Sequence, residues 1–171
     1  DSFNFGKGFR RDDAFLAVVI VSDEEDFSHT GSSFNESYSN PGLMPITDFT
    51  TFLDNYTLRL AGQAANYSVS SITVPDAACS TQLSTDGFAR KIGTRMMQLA
   101  DATGGVKGSL CSNFGSTLSL ISESILTLSS SFTLARVPVE SSIVVTVNGL
   151  TVIKDASNGW TFNAATNAVE F

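Results

Sequence analysis

The run Ala14–Val21, AFLAVVIV, is the most informative segment of this sequence, and it is followed at once by Ser22 and four carboxylates at 23–26 (DEED). A continuous apolar run rich in Val and Ile is typical of a strand buried on both faces, as in a parallel sheet covered by helices. In open α/β sheets, ligands bind beyond the carboxyl ends of the strands. We therefore expect Asp23, the first carboxylate after this strand, to lie at a ligand-binding edge.

The composition limits the class of protein. A chain of 171 residues with 42% hydrophobic and 16% charged residues suits one globular domain, or one domain with a small appendage. The formal net charge of −7 argues against a nucleic-acid surface, which needs a basic face. No apolar run reaches the length of a membrane span. We therefore expect neither a nucleic-acid partner nor a membrane span in this chain.

Strand and helix patterns alternate over the first 130 residues. Tyr67–Val74 and Val106–Cys111 are the next candidate strands. The loop that follows Tyr67–Val74 carries Cys79. Three helices are predicted. The first runs from an N-cap at Asp48 to a stop at Gly62, and the second has cap candidates at Ser84–Asp86 and an apolar face of Phe88, Ile92, Met96 and Leu99. The third begins at Phe114 and carries Leu118, Ile121, Ile125 and Leu128 on one face. This order predicts an α/β fold: a three-layer, doubly wound, mostly parallel and Rossmann-like sheet.

The last part of the chain changes to β-rich runs. Asn148-Gly149 and Asn158-Gly159 are turn signals, and Asn-Gly between alternating runs predicts a hairpin. We place a boundary near Pro138, so that residues 1–137 form the α/β domain and residues 138–171 a small β appendage. Because Asp1–Arg11 reads as a loop entering a central strand, and three strands are few for such a sheet, we expect the chain to be a partial domain.

The two cysteines, Cys79 and Cys111, leave two alternatives open: one disulfide, or two free thiols packed as small hydrophobic residues. A low content of Lys and Arg with many Ser, Thr and Asn is typical of exported proteins, in which disulfides persist. If the strands before them are neighbours in a parallel sheet, both cysteines emerge at the same edge. We favour the disulfide.

Three segments together resemble the C-terminal half of a von Willebrand factor A-like domain of the kind found in bacterial envelope proteins. They are 15–28 (FLAVVIVSDEEDFS), 95–110 (RMMQLADATGGVKGSL) and the helix from Asn113. The tail, with Val147-Asn148-Gly149 and Gly159-Trp160, resembles the segment that follows that domain. The resemblance implies an exported protein of the cell envelope, periplasm or surface.

The resemblance also implies a metal-ion-dependent adhesion site at the carboxyl edge of the sheet. In the family this site combines an Asp-x-Ser-x-Ser motif, a Thr and a later Asp, and only the last element maps here, onto Asp23. Ser22 stands where the family often has Thr, and Glu24 stands where many members have Gly, so both are candidates at the ligand edge. Mg²⁺ or another divalent cation is expected in the intact protein, whereas Asp23 alone is not expected to hold one firmly, since Mg²⁺ needs several oxygen ligands.

These observations leave three functions in competition. The first is a binding or adhesion module, not an enzyme, that recognises a protein ligand at the carboxyl edge, with the missing N-terminal half of the domain as a further partner. The second is a metal-free structural or assembly domain. The third is a Mg²⁺-dependent hydrolase or phosphotransferase that uses Asp23, for which no companion lysine or second acidic strand end is evident. We predict the first, with no catalytic residue.

Overall fold

The computed structural model describes residues 14–31, 35–59 and 65–171. The larger unit contains β1 (Leu16–Val21), α1 (Ile46–Tyr56), β2 (Tyr67–Thr73), α2 (Ala77–Leu83), α3 (Thr94–Ala102), β3 (Lys107–Ser109) and α4 (Phe114–Ser130). The segments that follow are β4 (Ser131–Thr133), β5 (Val145–Val147), β6 (Leu150–Val152), β7 (Thr161–Asn163) and β8 (Ala168–Glu170). The loop predicted at Asp1–Arg11 and the helix stop predicted at Gly62 lie outside the described residues.

The first three strands form a parallel sheet in the order β1-β2-β3, with Leu16 opposite Tyr67 and Ser71 opposite Lys107. Helices connect and flank these strands, and the predicted α/β class is confirmed. β2 is the central strand, and all its residues are buried. Within the described ranges, none of the helices has the length and apolar character needed to cross a bilayer.

Helices cover both faces of β2, whose side chains point alternately to one face and the other. On one face, the Tyr67 hydroxyl donates a hydrogen bond of 2.8 Å to Asp54 in α1, and Thr73 packs against Gly93, the residue before α3. On the opposite face, Ile72 lies beside Gly108, and α4 covers both with the Thr117 methyl group. The central strand β2 is therefore enclosed between α1 and α3 on one side and α4 on the other.

β1 lies at the edge of this sheet, which corrects the expectation of a strand buried on both faces. Its residues alternate between half-buried and exposed, and Val19 and Val21 are 41% and 53% exposed. Ile20 faces Phe49 of α1, whereas α4 packs on β2 and β3. A continuous apolar run shows that both faces of a strand carry apolar side chains, but it does not show that helices cover both faces.

The connection from β2 to α3 differs from the single helix predicted to begin at Ser84–Asp86. Cys79 lies in the short helix α2 and not in a loop, and α3 begins only at Thr94. Gly87 adopts a left-handed backbone with φ of +87°, which ends the helical turn at 84–86. Phe88, predicted to belong to an apolar helix face, is instead 70% exposed in the connection.

The other two helices follow the prediction with small shifts. In α1, Asp48 lies in the first turn, and Pro45 occupies the N-cap position. α4 begins after Asn113, and its buried face contains Ile121 as predicted, but Leu118 is 45% exposed. Thr117 is buried in place of Leu118 because Gly108 leaves room for a side chain of its size.

The tail forms a three-stranded antiparallel sheet in the order β4-β8-β7 and a separate hairpin of β5 and β6. The predicted hairpin turn at Asn148-Gly149 is confirmed, with φ of +52° and +81°. Asn158-Gly159 belongs to a turn that leads into Trp160, which is 3% exposed. β4 lies before Pro138 and pairs with β8, which lies after it, so this sheet contains strands from both sides of the predicted boundary. The division into two domains at 138 stays a prediction.

A glycine substitution tests how closely the turn after α3 approaches the central strand. A Cβ atom added at Gly105 would lie 2.0 Å from the backbone oxygen of Val69 in β2. We predict that Gly105→Ala lowers the free energy of unfolding by about 1–3 kcal/mol in urea titrations, because the turn has to move away. Gly42→Ala is the control, since its Cβ would meet nothing nearer than 3.4 Å, and should change stability by less than about 0.5 kcal/mol. Equal stabilities for the two variants would contradict the close approach.

Candidate functional site

The candidate site is the edge at which β1, β2 and β3 end, because the segments that follow these strands meet there. A shallow cleft of about 360 Å³ opens at this edge. It is lined by Val21, Ser22, Asp23, Leu83, Arg90 and Leu110. The cleft thus combines apolar walls with one acidic and one basic side chain, and it contains two of the residues predicted for the ligand edge.

Asp23 forms an ion pair with Arg90 in this cleft. The Arg90 Nε lies 2.7 Å from Asp23 Oδ2, and Arg90 Nη2 lies 2.7 Å from Asp86 Oδ2. Hydrogen bonding to Asp86, together with the Asp23 charge, raises the pKa of Arg90. Asp23 therefore receives its counter-charge from its own chain.

The position of Arg90 is set by α2 and by the predicted disulfide, which is confirmed. Cys79 in α2 is bonded to Cys111 after β3, with their Cα atoms 5.6 Å apart. The Ser80 hydroxyl donates to the Arg90 carbonyl oxygen at 2.6 Å, and the Arg90 amide donates to Ser84 Oγ at 3.1 Å. Because the disulfide fastens α2 to the end of β3, the Arg90 backbone is bound to an anchored helix through Ser80, and to Ser84, the residue that follows this helix.

Ser22 and Glu24 form a local turn and do not converge on a ligand. The Ser22 hydroxyl donates to the Glu24 carbonyl oxygen at 3.2 Å and accepts from the Glu24 amide at 3.0 Å. Glu24 is exposed. The geometry therefore places Ser22 and Asp23 in the cleft and leaves Glu24 outside it.

The described residues do not fit a divalent cation at this edge. Asp23 supplies a single carboxylate, one oxygen of which contacts Arg90, and the Ser22 hydroxyl is engaged with the backbone. Across residues 14–31, 35–59 and 65–171, no three His, Cys, Asp or Glu side chains form a group that would hold a metal ion. Mg²⁺ requires a near-octahedral shell of oxygen atoms, which this arrangement does not offer.

Glu25 and Asp26, carboxylates expected to be solvated or to cap a helix, hold the loop after β1 against the start of α3. Glu25 is 9% exposed, and its carboxylate accepts hydrogen bonds from the Arg95 amide at 3.0 Å and from the Tyr38 hydroxyl at 2.8 Å. Asp26 Oδ2 accepts from Nε and Nη2 of Arg95 at 3.1 and 3.0 Å. A carboxylate at a helix N-terminus is favoured by the helix dipole. The four carboxylates at 23–26 thus fall into two pairs: Asp23 and Glu24 face solvent, and Glu25 and Asp26 bind the start of α3.

The loop that continues from this run packs on the same network. The rings of Phe27 and Tyr38 have their centroids 5.1 Å apart, and Lys91 Nζ lies 4.9 Å from the centroid of the Phe27 ring. Partial burial, with the Glu25 carboxylate beside it, raises the pKa of Tyr38. The described part of this loop therefore has a defined shape beside the cleft.

Three comparisons with known proteins were negative. A scan against protein-family models, a search of curated proteins and a search of solved structures each found nothing that matches this chain. The resemblance to a von Willebrand factor A-like domain stays a prediction, and the site rests on the geometry of this chain.

Acid should weaken the tie between Asp26 and Arg95. Burial raises the pKa of Asp26, but hydrogen bonds from Ser28 and the contact with Arg95 outweigh it, so that this pKa is lowered. Such a carboxyl stabilises the fold above its unfolded pKa of about 3.9, and the contribution is lost as the pH falls through the lower folded value. We predict that Asp26→Asn is less stable than the parent near pH 7 and that the difference shrinks below about pH 4.

Urea titrations across this pH range measure the effect of Asp26→Asn. Glu123→Gln, which changes an exposed carboxylate on α4, is the control and should follow the parent at every pH. A stability difference that grows on acidification would show that Asp26 is not stabilised in its charged form.

Loss of the disulfide should affect both stability and the position of Arg90. The bridge spans a sequence separation of 32 residues, for which chain entropy gives about 3–4 kcal/mol. We predict this decrease in the free energy of unfolding for the double variant Cys79→Ala, Cys111→Ala. Hydrogen exchange at the Arg90 amide should also accelerate, because its acceptor, Ser84, directly follows α2. Unchanged exchange at Arg90 would mean that the disulfide does not position it.

Proposed function

We propose that this chain is a binding module of the adhesion type that recognises a protein ligand at the carboxyl edge of its parallel sheet. The observation that carries this proposal is the open cleft, in which Leu83 and Leu110 flank the ion pair of Asp23 and Arg90. An apolar centre beside charged groups is the common make-up of a protein interface. The ion pair leaves polar atoms at the surface, which would orient a ligand.

The packing around the cleft supports this function. Glu25 and Asp26 join the loop after β1 to Arg95 at the start of α3, and the disulfide joins α2 to the end of β3. Both borders of the cleft are thereby attached to the sheet. A surface that already has its binding shape loses less conformational entropy when a ligand associates.

The proposed binding does not use a metal ion. The Arg90 guanidinium provides the positive charge next to Asp23 that a divalent cation provides in a metal-dependent adhesion site. A cation that joined Asp23 in an intact protein would have to displace Arg90, which is held by Ser80 in α2 and by Ser84 directly after it. The same ion pair argues against the hydrolase or phosphotransferase alternative, because that alternative needs Asp23 to bind Mg²⁺ and Asp23 is paired with Arg90.

We also propose that the protein is exported, in the envelope, periplasm or surface of a bacterium. The support is the bond between Cys79 and Cys111, because structural disulfides persist in oxidising compartments and are rare in the cytosol. The bacterial source rests on the resemblance alone.

A structural or assembly function is the second candidate, and the tail is the observation that favours it. An apolar groove of about 400 Å³ lies between the two tail sheets, with Phe132, Leu134, Val145, Val169 and Phe171 among its lining residues. Apolar surface of this kind is often covered by a partner. Deletion of the tail would then abolish assembly of the whole protein while leaving ligand binding at the cleft intact.

The proposed function is tested with a phage-displayed peptide library panned on the full chain in the presence of EDTA. Selected peptides are measured by biolayer interferometry on the parent and on Leu83→Lys, which places a charge in the cleft. We expect Leu83→Lys to bind about tenfold more weakly or worse, as for a residue central to an interface. Val139→Lys is the matched control, because Val139 is 72% exposed in the tail, and it should bind as the parent does.

Two results would contradict the proposal. Peptides that bind the parent and Leu83→Lys equally, with both proteins folded by circular dichroism, would place the binding surface elsewhere. Selection that succeeds only after EDTA is replaced by Mg²⁺ would show that a cation, and not Arg90, completes the edge.

A further inference from the structure

A cavity of about 190 Å³ lies between β1, α1 and α3. Its described lining residues are all different from those of the cleft beside Asp23, so the two are separate sites. Packed protein interiors contain few spaces larger than a water molecule. A space of this size between two helices and a strand is therefore room for a ligand. Five of the residues that line it are apolar: Ile20, Ile46, Phe49, Met96 and Leu99.

The polar part of the cavity wall is formed by Arg95 and Asp26. Nε and Nη2 of Arg95 donate to Asp26 Oδ2 at 3.1 and 3.0 Å, and Nη2 also donates to the Met44 carbonyl oxygen. The third nitrogen, Nη1, has no acceptor in the part of the chain that the structure describes. Arg95 is 6% exposed, and buried donors in proteins are almost always hydrogen-bonded. One donor group of the guanidinium is thus left for a bound molecule.

The size and lining of the cavity suit an aromatic ring. The guanidinium carbon of Arg95 lies 6.0 Å from the centroid of the Phe49 ring, so that an aromatic wall stands beside the donor. Ile20 from β1 and the buried Leu99 from α3 add aliphatic walls. A protein cavity of about 150 Å³ lined by Leu, Ile and Phe side chains holds a benzene ring. The cavity in this chain has room for one ring and a small substituent.

The charges around Arg95 indicate that the ligand is neutral. Asp26 already balances the guanidinium, and a second carboxylate, that of Glu25, accepts from the Arg95 amide at 3.0 Å. A ligand carboxylate at Nη1 would add a third negative charge to one positive charge, which is repulsive. An ammonium group has no acceptor to offer to an N–H donor. A neutral carbonyl oxygen accepts the hydrogen bond without adding charge.

We propose that this cavity binds a small neutral aromatic compound with a carbonyl substituent, of about the size of benzamide. The ring packs against Phe49, Leu99 and Ile20, and the carbonyl oxygen accepts a hydrogen bond from Arg95 Nη1. This inference goes beyond the proposed function, because the cavity and the cleft share none of their described lining residues and take different classes of ligand. Failure of the inference would leave the peptide-binding result with Leu83→Lys unchanged.

The experiment is an NMR titration of the ¹⁵N-labelled full chain with three probes of similar size. Benzamide should cause saturable shifts of the amide resonances of Ile20, Phe49 and Leu99. Toluene has no acceptor and benzoate is anionic, so each should bind about tenfold more weakly or worse. Equal affinity for benzamide and toluene would overturn the role of Arg95, and equal or tighter binding of benzoate would overturn the preference for a neutral ligand.

Two variants with a matched control locate the binding. Phe49→Ala removes the aromatic wall and should weaken benzamide binding about tenfold or more. Phe52→Ala is the control, since Phe52 lies on the same helix, is 64% exposed and does not line the cavity, and it should bind as the parent does. Ile46→Trp, which fills the cavity, should abolish binding and is the second variant if Phe49→Ala does not fold.

Three results would overturn the proposal as a whole. The first is a parent chain that shows no saturable shift with benzamide. The second is a set of saturable shifts that leaves the amides of Ile20, Phe49 and Leu99 unchanged. The third is equal benzamide affinity in the parent and in a cavity variant that circular dichroism shows to be folded.

Discussion

The ion pair between Asp23 and Arg90 is the interaction on which the candidate site depends. It connects the end of β1 to the segment after α2, and the disulfide of Cys79 and Cys111 connects α2 to the end of β3. The pair is half-exposed on the Asp23 side, and exposed ion pairs add little to stability. Its consequence is chemical: the edge presents a guanidinium and a carboxylate already bound to each other, and the carboxylate is not left free to recruit a cation.

The buried tie beside the cleft has a different role. Arg95 is 6% exposed, and its backbone amide and guanidinium bind Glu25 and Asp26 respectively. Removal of one partner from such a buried network leaves the other without its counter-charge, which is costly. The four consecutive carboxylates therefore serve two purposes. Glu25 and Asp26 fix the loop to α3, while Asp23 lines the cleft and Glu24 remains exposed outside it.

Local chemistry in the sequence was enough to predict the parallel α/β order, the hairpin at Asn148-Gly149 and the closeness of Cys79 and Cys111. It was not enough for features that depend on distant segments. Apolar residues at 14–21 do not reveal whether a helix covers the second face of β1. The partner of Asp23 could not be identified either, because Arg90 reaches it only after Gly87 interrupts the predicted helix. The inward turn of Glu25 likewise depends on where α3 begins.

We propose that Arg90 takes the place of a divalent cation beside Asp23. The most direct measurement is a Mg²⁺ titration of the ¹⁵N-labelled chain, followed by the amide resonances of Ser22, Asp23 and Glu24. We expect no saturable shift of these resonances in the parent, and the same result after Arg90→Lys, which retains the positive charge. Saturable shifts confined to Ser22, Asp23 and Glu24 in the parent would contradict it, because they would show that a cation binds beside Asp23 while Arg90 is present.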